Sequence, residues 1–147
     1  MRSILASLIG CIAATACVRK EDLIVWKAET TSPDGVWVAS ADTVQNGGFG
    51  SASVDTSVYL RRKTSSQPRT EILVFHCHGA VPHQYVLDNV ANHGGTINLN
   101  MQWISPSHLH VSYDGNPDLN MQVVKYWGVE ITAQDLSESP RAVGSPQ

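Results

Sequence analysis

Long runs of one charge are missing from this sequence. Its 147 residues carry 10 Lys and Arg against 13 Asp and Glu, a formal net charge of −3. With no basic stretch to track a phosphate backbone, nucleic acid is excluded as an expected partner. Cysteine is scarce too: Cys11, Cys17 and Cys77 cannot make the disulfide framework of a stapled scaffold. The apolar stretch over residues 4–16 falls short of the roughly 20 residues that a membrane-spanning helix needs. No internal repeat is present, and the chain has no room for a propeller or a TIM barrel. Catalytic signatures are equally lacking: there is no Gly-x-Ser-x-Gly elbow, no phosphate loop and no Cys-His pair of recognisable spacing. What remains, 42% hydrophobic and 16% charged with 11 Gly and 7 Pro, is the composition of one ordinary folded domain. At this length such a domain buries roughly two-thirds of the surface its unfolded chain exposes, enough for a core without disulfides or metal.

The N-terminus carries an address. Arg2 followed by the apolar residues 4–16 reads as a signal peptide over residues 1–16. Ala14-Thr15-Ala16 places small residues at the first and third positions before Cys17, as a signal peptidase requires. The small residue followed by cysteine resembles the lipobox of bacterial lipoproteins, although Ala14 stands where Leu is usual. The resemblance implies a lipid on Cys17, a tether over residues 17–22, and a location on the periplasmic side of a bacterial envelope. Leu8-Ile9-Gly10-Cys11 matches the lipobox letters better, but cleavage there leaves almost no apolar region. Cys77 is then the remaining thiol, expected to be buried or inert in an oxidising compartment. Cleavage without lipidation leaves a Cys17–Cys77 bridge open. Removing residues 1–16 takes away Arg2 alone among the charges and moves the net charge from −3 to −4.

From residue 23 onward the sequence alternates with period two in short segments separated by Gly, Pro, Asn, Asp and Ser, the signature of strands and turns. Residues 23–29 and 36–41 flank Ser32-Pro33-Asp34-Gly35, where Pro33 sets φ and Gly35 accepts a left-handed backbone, so a hairpin is expected. Residues 54–62 and 70–78 make a second hairpin with a loose tip at 63–69, after a glycine-rich loop, Gly47-Gly48-Phe49-Gly50. A third joins 96–103 to 108–113, with Ile97, Leu99, Met101 and Trp103 on its apolar face. Residues 119–126 and 129–132 follow, broken at Gly128. Residues 81–92 fit a short helix or an irregular loop, and residues 137–147 a disordered tail. The expected fold over residues 23–136 is therefore all-β: about eight strands in a small antiparallel sheet, curled into a sandwich or open barrel with at most one short helix. Trp26, Trp37, Trp103 and Trp127, spread one to a hairpin region, are the expected core anchors.

Ser32-Pro33-Asp34-Gly35-Val36-Trp37-Val38-Ala39 resembles the strand-turn-strand motif of TolB-type propeller blades, and implies a turn geometry rather than a ligand. Together with Cys17, the Gly-Gly-Phe-Gly loop, residues 58–62 and the hairpin through Trp103 and Tyr113, the chain is similar to small bacterial envelope lipoproteins. That resemblance carries no catalytic residue with it.

Two groups of side chains could carry chemistry. All six histidines, His76, His78, His83, His93, His108 and His110, fall within residues 76–110. In each His-x-His pair period two puts both rings on one strand face. If the two strands were neighbours, His76, His78, His108 and His110 could hold zinc or copper. Against this, Leu109, Val111 and Tyr113 are the better core residues, which turns His108 and His110 towards solvent. The second group is the basic tip Arg61-Arg62-Lys63 with Arg69, which either protects an edge or meets an acidic partner or anionic headgroups. The expectation is a non-catalytic, membrane-tethered binding module using Arg61, Arg62 and Phe49, with an envelope protein as partner. It would be of an immunity type that caps a toxin, or an envelope assembly factor. The alternative is a metal-binding periplasmic protein.

Overall fold

The computed structural model describes residues 23–46, 53–78 and 93–137. Cys11 and Cys17, the loop with Phe49, the segment 81–92 with His83, and the tail beyond Ser137 lie outside the described residues. Within them the chain is all-β, without a helix. Its strands are β1 (Leu23–Thr31), β2 (Trp37–Asn46), β3 (Ser53–Arg62), β4 (Thr70–His78), β5 (Asn100–Ser105), β6 (His108–Tyr113), β7 (Asp118–Gln122), β8 (Lys125–Tyr126) and β9 (Val129–Asp135). They form two sheets, β1-β2-β3-β4-β7 and β5-β6-β9-β8, and the result is a sandwich-like fold not closed into a barrel.

The first hairpin forms because its turn satisfies itself. The Gly35 N–H donates to Ser32 O at 2.8 Å and the Ser32 N–H to Trp37 O at 2.9 Å. The buried Ser32 Oγ accepts the Trp37 N–H at 2.9 Å and donates to Asp34 Oδ1 at 2.6 Å, which also accepts the Val36 N–H at 3.1 Å. Gly35 takes φ +73°, a left-handed position open to glycine at little cost. The Ser32 hydroxyl first, and then the Val36 N–H, pull the Asp34 carboxyl below its ordinary pKa.

Alternation then decides what enters the core. Trp26, Trp37, Ala39, Ala41, Val58, Leu60 and Phe75 from the first sheet meet Met101, Leu109, Val111, Tyr113, Val129 and Ile131 from the second in one buried cluster. The Phe75 and Tyr113 rings sit 4.7 Å apart across it. On β4 the pairing with β3 slips between Val58 and Tyr59, a bulge that lets consecutive Ile72 and Leu73 both reach 0% exposure. A period-two reading has to choose between those two residues.

Three features depart from strict alternation. First, residues 95–98 form a turn and β5 begins only at Asn100, because Gly94, Gly95 and Asn98 take positive φ. Ile97 and Leu99 are nonetheless fully buried. Gly95 passes so close to β1 and β2 that a Cβ there would stand 2.6 Å from Thr43 Oγ1 and 3.1 Å from Trp26 Cε3. Second, residues 119–126 are two strands in two sheets. The Val123 N–H bonds to Ile72 O at 2.9 Å, while Val124 O accepts the Ile131 N–H at 3.0 Å, so the chain changes sheet between adjacent residues. Third, β6 and β9 run parallel while every other pair is antiparallel, since the chain visits the first sheet as β7 before β8 and β9 return it. Ser137, at the start of the expected tail, is tied down: its Oγ accepts the N–H groups of Gly115 and Asn116, each at 3.1 Å.

Candidate binding cleft

The basic tip does not present one patch, because consecutive strand residues point to opposite faces. Arg61 turns to the outer face of the first sheet and pairs with Glu29 at 3.5 Å, the Arg61 side chain partly and the Glu29 side chain largely exposed. Such a pair contributes at most about 1 kcal/mol. Arg69 lies against the Asp42 carboxylate at 2.5 Å and over the Tyr59 ring at 3.7 Å, closing the outer face of β2 where Asp42 is only 2% exposed. Arg62 goes the other way. Directly opposite Trp37 in the β2–β3 ladder, it reaches the open end between the two sheets. There its guanidinium carbon stands 5.2 Å from the Trp37 ring centre and 5.5 Å from that of Trp127.

Trp127 corrects the expectation that all four tryptophans anchor the core. Trp26 and Trp37 do, at 2% and 7% exposure, but Trp127 is 70% exposed. It occupies the first position of the two-residue turn between Tyr126 and Val129, with φ +48° followed by Gly128 at +87°. Both central residues of such a turn need a left-handed backbone, which is why Asn-Gly is the favoured pair; for a bulky residue the conformation costs on the order of 1 kcal/mol or more. Tyr126, beside it at 6.4 Å between ring centres, is fixed by a 2.9 Å bond between its hydroxyl and Thr70 Oγ1, which joins β8 of one sheet to β4 of the other. Trp37, Tyr126, Trp127 and Arg62 thus wall a cleft of about 280 Å³, with Thr64, Ser65 and Gln67 of the 63–69 tip along its rim. Among the described residues the Arg62 side chain has no carboxylate or other hydrogen-bond acceptor. The signal for this site in the sequence is Trp127-Gly128 itself: a tryptophan in a slot suited to asparagine.

The two His-x-His pairs lie on separate strands. His76 and His78 lie on β4 and His108 and His110 on β6, strands of different sheets, so the neighbouring ladder that the metal alternative requires does not exist. His76 Nδ1 meets Asp55 Oδ1 at 2.6 Å, and Asp55 Oδ2 also accepts from Asn46 Nδ2 at 3.2 Å. His108 Nε2 and His110 Nδ1 both contact the Thr132 hydroxyl at 3.0 Å, half-buried above the core residues Leu109 and Val111 as alternation predicts. His93 is exposed, and its backbone oxygen accepts from Trp26 Nε1 at 3.2 Å. Among the described residues no three His, Cys, Asp or Glu side chains gather as could hold a metal ion.

Cys77 is half-buried and unbridged. Burial pushes its thiol pKa up, the Thr96 hydroxyl pulls it partly back, and the charges of Asp55 and Asp118 push it up further. Thr96 itself ends a buried chain of hydroxyls, Thr43 to Thr56 to Thr96, at 2.7 Å each. The sulfur is therefore a protonated packing group and not a ready nucleophile. Comparison of the chain with protein-family models, with curated proteins and with solved structures finds no match.

Proposed function

We propose that this chain is a lipoprotein of a bacterial envelope, held to the membrane by a lipid on Cys17, and that it works there as a non-catalytic binding module through the cleft at Arg62. The tether rests on the N-terminal sequence, Ala14-Thr15-Ala16-Cys17 after an apolar signal. The binding reading rests above all on one observation, the exposed Trp127 held in a left-handed backbone. Strain of this kind persists only where the surroundings impose it, and it gathers at ligand-contacting positions. Arg62 shares that cleft, whereas Arg61 is occupied on the other face of the sheet by Glu29, so Arg62 is the functional member of the basic tip.

Mass spectrometry of the native N-terminal peptide tests the tether: a lipidated Cys17 is expected, and a peptide reading through Ala16 rejects it. Retrieval of a stoichiometric envelope component from solubilised membranes tests the cleft. The component should be lost with Arg62→Gln and with Trp127→Asn but kept with Arg61→Gln. Retrieval indifferent to Trp127 and Arg62 refutes the cleft as the binding site.

A further inference from the structure

We infer that the ligand of this cleft is an anionic saccharide, a pyranose unit bearing a carboxylate or phosphate, with its ring against Trp127 and its oxyanion on Arg62. The inference rests on the binding reading above and names the chemistry of that site. Three features of the cleft have to be matched together.

The first is charge. Arg62 is the cation that faces the cleft, no carboxylate is among the lining residues, and the Arg62 guanidinium, held near two aromatic rings, keeps its N–H edges uncommitted among the described residues. A planar guanidinium with free edges takes carboxylate or phosphate in a two-pronged fashion. The second is the exposed indole of Trp127, a flat apolar surface beside that cation. The third is the rim, where Thr64, Ser65 and Gln67 offer neutral hydroxyl and amide groups. An inorganic anion satisfies Arg62 and leaves the indole bare. A fatty carboxylate covers the indole and leaves the rim unmatched. A sugar ring is apolar on its faces, polar around its edge and, when acidic, anionic at one corner, so it meets all three. The volume, about 280 Å³, is near the lower end of small-molecule sites, roughly 300–1,000 Å³, and suits one sugar unit of a longer chain.

Calorimetric titration of the full-length lipidated chain in detergent tests this. The probes are a uronic-acid disaccharide, its carboxyl-reduced neutral counterpart, a sugar phosphate, and inorganic phosphate. The uronate or the sugar phosphate should bind, which of the two is tighter identifying the anion, while the neutral sugar and inorganic phosphate should each bind about tenfold or more weakly. Arg62→Gln should erase the preference for the acidic sugar, and Trp127→Asn should abolish binding while the protein remains folded. Equal binding of acidic and neutral sugars, equal binding of inorganic phosphate, or no saccharide binding at all overturns the inference. If no saccharide binds but a membrane component, a protein included, is still retrieved and lost with Trp127→Asn, the ligand class falls and the binding reading stands. If retrieval is also indifferent to Trp127, both fall.

Discussion

At the β1–β2 turn the left-handed backbone position falls on Gly35, at φ +73°; at the β8–β9 turn it falls on Trp127, at +48°. The first turn meets every local requirement. Ser32 and Asp34 satisfy the N–H groups of Trp37 and Val36, and the residue with positive φ has no Cβ to clash. The second places one of the largest side chains where a small polar one or glycine belongs, and then exposes it to solvent. A turn that serves only the fold is free to relax to its cheapest residues. On the binding reading proposed above, the expensive residue is there for its side chain, which stands with Arg62 in a cleft.

The largest effect expected on this contrast comes from Ser32→Ala. It strands the buried Trp37 N–H and should lower stability by about 2 kcal/mol, read by denaturant unfolding. A cost near zero would mean that the first turn is not held by its own hydrogen bonds. Next come two substitutions of equal size and opposite sign. Gly35→Ala forces a Cβ into positive φ and should cost about 1 kcal/mol, whereas Trp127→Asn relieves the same demand and should gain about 1 kcal/mol. If Trp127→Asn destabilises the protein instead, its indole is a packing group and the contrast between the turns collapses. The gain should be accompanied by loss of ligand, which separates Trp127 from any residue that acts through stability alone.

The smallest effect is in pH. The Asp34 carboxyl has a folded-state pKa below its ordinary value, owing to the Ser32 hydroxyl and then the Val36 N–H. Its contribution is therefore fully present above the unfolded value of about 3.9 and is lost as pH falls through the folded value. Melting temperatures of the parent chain and of Asp34→Asn should differ slightly near neutral pH and converge in acid. A gap that instead widens in acid contradicts the assignment.

Much of this was legible in the residues because turn chemistry and strand faces are local. Ser32 to Gly35 carry their own hydrogen bonds, and the alternation of Leu109, Val111 and Tyr113 against His108 and His110 follows from the pleat without reference to any partner strand. The same alternation could not say which strands are neighbours. It therefore left the two His-x-His pairs free to be imagined side by side, when β4 and β6 belong to different sheets. It also grouped Arg61, Arg62 and Arg69 as one tip, although the pleat sends Arg61 to Glu29 and Arg62 towards Trp127.

The sequence by itself determined that the described chain is all-β, where its first hairpin turns, and which residues of β6 enter the core. Each of these depends on interactions within four or five residues or on the period of a strand. Only the tertiary structure decided that the chain changes sheet between Val123 and Val124, that β6 and β9 run parallel, and that Arg62 comes within reach of two tryptophans 25 and 65 residues away. Contacts at such separations are fixed by how two sheets close over a shared core, and no local pattern of residues encodes that closure.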